Sequence, residues 1–244
     1  MGHEYVELKN THAAIESYRR AVDVNRKDYR AWYGLGQTYE VLEMHAYALW
    51  YYKRAAGLRP WDGKMWMAVG TCLQKMNRDL EGIKALKRAL LADSYYDAGV
   101  GSSFGSGGRE RGGAMDPDIL LQIAGMYERL EDHNEARQYM EMCMAQEEGA
   151  DNLDASIINI HQDSTSSDDE ARPVGGGGEG TGVTAATSRA RMWLARDAMK
   201  AGSLERAMQL ATELCQDGVE VEEAKALVRE VRVRMELAAD APGS

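Results

Sequence analysis

A 34-residue register runs through the first 96 residues of this chain. Trp32 recurs as Trp66, Gly36 as Gly70 and Ala55 as Ala89. The same step taken backwards pairs Gly36 with Gly2, Tyr39 with Tyr5, Ala48 with Ala14, Tyr52 with Tyr18 and Ala55 with Ala21. Self-similarity at a fixed period restricts a chain to stacked copies of one supersecondary unit. Within each copy the apolar positions fall three and four residues apart, in two stretches with a short break between them. That is the spacing of two amphipathic helices.

The residue types suit a helical hairpin. Small residues (Gly36, Ala48, Ala55 and their counterparts Gly70, Gly82, Ala89) stand where two helix backbones must approach closely. Large ones (Trp32, Leu35, Tyr39, Tyr52; Trp66, Val69, Leu73, Leu86) fill the space beside them. Pro60 cannot continue a helix, so it closes one unit and opens the next. The pattern W-x2-L-G-x2-Y…A…Y…A…P resembles the tetratricopeptide (TPR) repeat, which implies an all-α solenoid of helical hairpins with a right-handed superhelix. Residues 29–62 carry every hallmark and residues 63–96 all but the last, where Ser94 replaces the proline. Met1 falls at the leucine position of a first helix, so the chain is expected to begin inside a repeat, as a fragment or truncated reading of a longer array.

A third unit restarts at 116–147, with Leu120, Ile123, Ala124, Tyr127, Ala136, Met140 and Cys143 at the same offsets and Pro117 opening its first helix. A degenerate fourth, with Leu194, Ala195, Ala198, Gly202, Ala207, Ala211 and Leu214 in frame, occupies 187–239 together with a terminal helix from Val221 to Ala239. Between these units lie a glycine-rich insert at 97–115 and an acidic, serine- and glycine-rich one at 148–186. Neither holds enough apolar side chains to offset the entropy of ordering, so both are expected to be disordered.

Composition narrows the function. A net charge of −10 argues against electrostatic nucleic-acid binding. No apolar run approaches the ~20 residues of a membrane span. Cys72, Cys143 and Cys215 are odd in number and widely spaced, and read as reduced, buried thiols. His45 and His133 share one repeat position at the helix turn. No cysteine or carboxylate falls at metal-ligand spacing from them, so they read as turn residues and no metal or cofactor is expected. The glycine runs lack the strand and Gly-Lys-Ser/Thr ending of a phosphate loop. Ser164, Ser166 and Ser167, just before Asp168, Asp169 and Glu170, form either an acidic-directed phosphorylation stretch or a solvated linker.

The stretches AWYGLGQTYEVLEM and YALWYYKRAAGLRPWDGKMWMAVGTCLQKM, with EEAKALVREV at 222–231, are similar to the C-terminal repeats of the subunit 8 family of the anaphase-promoting complex, the cell-division-cycle protein 23 family. The similarity covers 1–96 and, more loosely, 116–147 and 187–235. It implies a non-catalytic scaffold in a multi-subunit E3 ubiquitin ligase that drives exit from mitosis. Its compartment would be the nucleus, with the cytoplasm second. Partners would be other subunits of that complex and extended activator segments, including a basic motif, held in the concave groove. The family dimerises through N-terminal repeats, most of which are missing from this sequence.

In a TPR array the first helix of each hairpin lines that groove. Here this places Arg30, Tyr33, Gln37 and Glu40, then Lys64, Met67, Thr71 and Gln74, at a peptide-binding site, with His3 and Glu7 as counterparts in the truncated repeat. Tyr33 and Gln37 offer an aromatic face and an amide, while Glu40 and Glu7 could pair with a partner arginine. Trp32, Trp66, Tyr39 and Tyr52 read as core. Trp50 and Trp61 are not accounted for by the repeat, and Trp50 on the outer helix packs either within the array or on another subunit. A stand-alone TPR adaptor gripping acidic C-terminal tails is the alternative, but it needs a cationic clamp, and the groove supplies only Arg30 and Lys64. An enzyme whose catalytic domain precedes residue 1 stays open on the sequence alone.

Overall fold

The computed structural model describes residues 4–5, 10–95, 115–147, 182–217 and 221–239. Ten helices and no strand occur among them. Apart from Met115 and the stretch from 182, the inserts read at 97–115 and 148–186 lie outside the described residues, as do His3 and Glu7. The chain divides into two compact units. The first holds α1 (Thr11–Val24), α2 (Tyr29–Val41), α3 (His45–Leu58), α4 (Gly63–Lys75) and α5 (Asp79–Tyr95). The second holds α6 (Pro117–Arg129), α7 (His133–Ala145), α8 (Ala185–Lys200), α9 (Leu204–Asp217) and α10 (Val221–Ala239).

The 34-residue register reappears as geometry. Asp28 and Asp62, one step apart, each cap a first helix by accepting a hydrogen bond from the backbone N–H two residues on, at 3.0 and 3.2 Å. The tight turn inside each hairpin also repeats. Glu43, Asn77, Glu131 and Gly202 all adopt left-handed φ values of 57°, 56°, 61° and 82°. After each, the next residue's N–H reaches back to a first-helix carbonyl: Met44 to Tyr39, Arg78 to Leu73, Asp132 to Tyr127 and Ser203 to Ala198, at 2.9–3.0 Å. This is the Schellman closure of a helix C-terminus. The third helix stops at Leu58, before Pro60, whereas α5 has Ser94 in place of the proline and runs on to Tyr95.

Packing in the first unit depends on absent side chains. The ring of Tyr52, itself 1% exposed, lies so close to Gly36 that a Cβ there would meet it at 2.5 Å. One repeat on, Leu86 covers Gly70 in the same way at 2.5 Å, and the ring of Tyr18 presses on Gly34. Trp32, Leu35, Tyr39, Ala48 and Ala55 complete the core around Tyr52, as the repeat pattern requires. Trp66 is only partly buried against that core. Its indole N–H donates to the Pro60 carbonyl at 2.8 Å, as that of Trp32 donates to the Arg26 carbonyl at 2.9 Å.

The second unit packs Leu120, Ile123, Ala124, Ala136, Met140, Cys143, Leu194, Ala195, Ala207, Ala211 and Leu214 in its interior, the positions its weaker pattern marked. Through Ala224, Leu227 and Val231, α10 is buried, and it packs chiefly on α9. A polar cluster sits among these helices. The buried guanidinium of Arg191 binds the carboxylates of Glu147 and Asp217, with Glu213 at 3.7 Å. A charge withdrawn from water is tolerated only when paired.

Three outcomes follow for unfolding in urea followed by circular dichroism. Gly36→Ala should lower stability by about 1–3 kcal/mol through overpacking. Gly57→Ala, exposed in the last turn of α3 with nothing within 4 Å of the added Cβ, should leave stability unchanged or raise it by less than about 0.5 kcal/mol; equal effects at the two sites would refute the close-approach account. Arg191→Met should cost about 3–5 kcal/mol by leaving Glu147 and Asp217 without their counter-ion.

Candidate peptide-binding site

The first helices α2 and α4 carry the eight positions singled out for a groove. Arg30 is exposed at the start of α2. Its Nε donates to the Tyr29 hydroxyl at 3.2 Å, and its guanidinium and that of Arg59 lie 5.6 and 4.2 Å from the Tyr29 ring. Tyr33, half-buried, packs its ring 5.3 Å from that of Tyr52. Burial, with a smaller contribution from Glu40 and Asp62, pushes the Tyr33 phenol above its ordinary pKa, so it remains a neutral donor. Gln37, one turn further, is half-buried, and its amide makes no hydrogen bond among the described residues. Lys64 is exposed, and Met67, Thr71 and Gln74 are half-buried along α4.

Glu40 is the most constrained of the eight. Its Oε2 accepts the Tyr52 hydroxyl at 2.5 Å and its Oε1 accepts Lys75 Nζ at 2.6 Å. Burial by itself would raise this carboxyl; the hydrogen bonds from Lys75 and Tyr52 more than offset it and hold it below the usual carboxylate range. The same bond, added to burial, drives the Tyr52 phenol far above its ordinary value. Both carboxylate oxygens are therefore engaged, and an arginine from a partner would meet a charge already shared with Lys75. Tyr33, Tyr52, Glu40 and Lys75 form one connected patch spanning two repeats. By its repeat position Tyr52 reads as core alone, and no repeat position marks Lys75.

Other candidates resolve as structure. The Cys72 thiol donates to the His45 carbonyl at 3.2 Å and that of Cys143 to the Pro117 carbonyl at 3.3 Å. Burial pushes these thiols up to about 11 and about 12, so both stay protonated and unreactive near neutrality. His45 and His133 open α3 and α7, and among the described residues no three ligating side chains gather for a metal. Trp50 packs edge-on against Trp32 at 5.8 Å and Tyr51 at 4.9 Å yet stays 58% exposed; Trp61 is 65% exposed.

The hairpins have the fold of TPR-type repeats. Residues 2–42 match the TPR repeat family and residues 117–146 the tetratricopeptide repeat family. Among curated proteins, Protein bimA of Emericella nidulans is 34% identical over 59 residues, 24% of this chain and 7% of that protein. Anaphase-promoting complex subunit 3 of Schizosaccharomyces pombe is 29% identical over 96 residues, 39% of this chain and 13% of that protein. The chain thus spans a small fraction of either relative. Two crystal structures of MamA superpose with TM-scores of 0.57 and 0.56 at 15% identity, each over 93% of this chain and over 96% and 90% of theirs. At that identity the likeness is one of fold alone.

The Glu40 network predicts a pH dependence. A carboxyl whose folded pKa is depressed adds stability above its unfolded pKa and loses it as pH falls through the folded value. Glu40→Gln should therefore cost about 1–2 kcal/mol at pH 7. The gap between wild type and variant in urea midpoint should close below about pH 4, and a gap constant across pH would show that the carboxylate charge adds nothing.

Proposed function

We propose that this chain is a non-catalytic TPR scaffold of the anaphase-promoting complex, the cyclosome, and that the α2/α4 face holds an extended segment of a partner protein. The observation that carries the reading is the similarity of 96 residues to subunit 3 of that complex, together with the motifs that resemble its subunit 8 family. We assign the chain to the subunit 8 type on AWYGLGQTYE, YYKRA and the LRP-W-D junction. In this reading its partners are sister TPR subunits and activator segments, and its work is done in the nucleus.

The site chemistry suits this role. A TPR groove needs groups that recognise backbone amides and side chains without reacting with them. Tyr33 provides a neutral phenol on a ring braced by Tyr52, and Gln37 provides both an amide donor and an acceptor. Thr71 and Met67 continue the surface along α4. With Glu40 committed to Lys75 and Tyr52, partner selection falls mainly to Tyr33, Gln37 and the side chains of α4.

Tagged chain isolated from dividing cells should bring down other subunits of the ligase, identified by mass spectrometry. Tyr33→Ala with Gln37→Ala should reduce that recovery by about tenfold with helicity unchanged, the loss of one well-packed aromatic anchor. Isolation without any ligase subunit would overturn the assignment.

A further inference from the structure

The second helices of the first unit carry a dibasic pair at one repeat position: Arg19–Arg20 on α1, Lys53–Arg54 on α3 and Lys87–Arg88 on α5, each 34 residues after the last. Residues 10–92 hold 14 Lys and Arg against 8 Asp and Glu, a net of +6 within a chain of net −10. Two helices of this stretch hold two basic residues and no acidic one: α3, a second helix, with Lys53 and Arg54, and α4, a first helix, with Lys64 and Lys75. Lys53, Arg54 and Arg88 are exposed and pair with no carboxylate among the described residues, whereas Arg20 is tied to Glu16 at 2.5 Å.

These cations are held by aromatic rings. The Arg54 guanidinium lies 5.7 Å from the Trp32 ring and that of Arg88 4.1 Å from the Trp66 ring, the same contact one repeat apart. Each indole is fixed in turn by its N–H bond to the Arg26 or Pro60 carbonyl. On the next repeat back, Arg19 donates to the Tyr39 hydroxyl at 2.9 Å. A guanidinium stacked on a ring keeps its N–H edge free for a carboxylate and has less side-chain entropy left to lose on binding. Beside Arg54, on the solvent side of α3, Trp50 and Tyr47 are 58% and 57% exposed. Trp, Tyr and Arg together are the composition of interface hot spots.

We propose that the solvent-facing side of α1, α3 and α5 docks an Asp/Glu-rich segment of a partner protein. Arg54 and Arg88 read its carboxylates, and Trp50 with Tyr47 takes an apolar side chain between them. Charge complementarity selects the occupant. A segment with one carboxylate every few residues matches cations spaced one pair per repeat, whereas a nucleic acid presents a phosphate at every nucleotide. This face lies on the second helices, apart from the α2/α4 groove, so it stands or falls independently of the scaffold assignment.

Fluorescence polarisation with the full chain and a labelled peptide of about 20 residues, rich in Asp and Glu and carrying one central Leu, tests this, the length being that needed to cross successive helices. Binding should weaken at least about tenfold between about 50 and about 300 mM NaCl. Lys53→Glu with Arg54→Glu should weaken it at least about tenfold and Trp50→Ala about fivefold, with circular dichroism unchanged. Arg54→Gln with Arg88→Gln, which preserves helix propensity, should act in the same direction if the charge reversal disturbs folding. Tyr33→Ala with Gln37→Ala should leave this affinity within about twofold, because sites without shared contacts act independently. Equal binding of a neutral peptide of the same length, indifference to the Arg54 and Arg88 variants, or tighter binding of a single-stranded oligonucleotide of equal charge would overturn the proposal.

Discussion

The flat contact between the Tyr52 ring and the bare backbone of Gly36 sets the spacing on which the rest of the first unit depends. A hydrogen in place of a side chain lets α2 and α3 approach until the ring is enclosed. Enclosing a large aromatic contributes about 1.5–3 kcal/mol. The same contact delivers the ring's hydroxyl to Glu40, one turn further along α2. One tyrosine thus anchors the core at its ring and the groove at its tip. The candidate binding face is not decoration on a scaffold, because its carboxylate is positioned by the residue that holds the hairpin together.

Much of this was legible in the sequence, for a physical reason. Contacts within one hairpin are dictated by positions a fixed number of residues apart, so the recurrence of Trp32, Gly36, Tyr39 and Tyr52 at 34 residues amounts to a list of intra-hairpin contacts. Contacts between hairpins are less readable. Nothing in the pattern pairs Glu40 with Lys75 across 35 residues, since that bond depends on the angle at which one repeat meets the next. Gly34 escaped notice for a similar reason: it receives Tyr18 from the preceding repeat. Arg191 stayed hidden because its partners, Glu147, Glu213 and Asp217, are scattered along the chain. Trp66 shows the converse, a hallmark residue that the fold leaves partly open and covers with Arg88.

Charge is distributed along the chain as unevenly as the aromatics. Residues 115–147 hold eight Asp and Glu against two Arg, while residues 10–92 are basic on balance. A single net figure of −10 therefore hides two surfaces of opposite preference. Overall charge argues well about long-range encounter with polyanions and poorly about what a particular helix face selects.

The hydrogen bond from Gly182 N–H to the Glu147 carbonyl, 3.3 Å long, carries a further implication for the architecture. It joins the last described residue of α7's turn to the first described residue before α8, and Arg191 pairs with the Glu147 carboxylate. The chain leaves and re-enters the repeat frame at one spot. Because closure entropy grows only with the logarithm of chain length, a frame fastened in this way is nearly indifferent to how many residues separate its two posts in sequence. The junction between Glu147 and Gly182 is therefore a natural splice point. Sequence there can lengthen, shorten or be exchanged for foreign cargo while the helical repeats on either side keep their register.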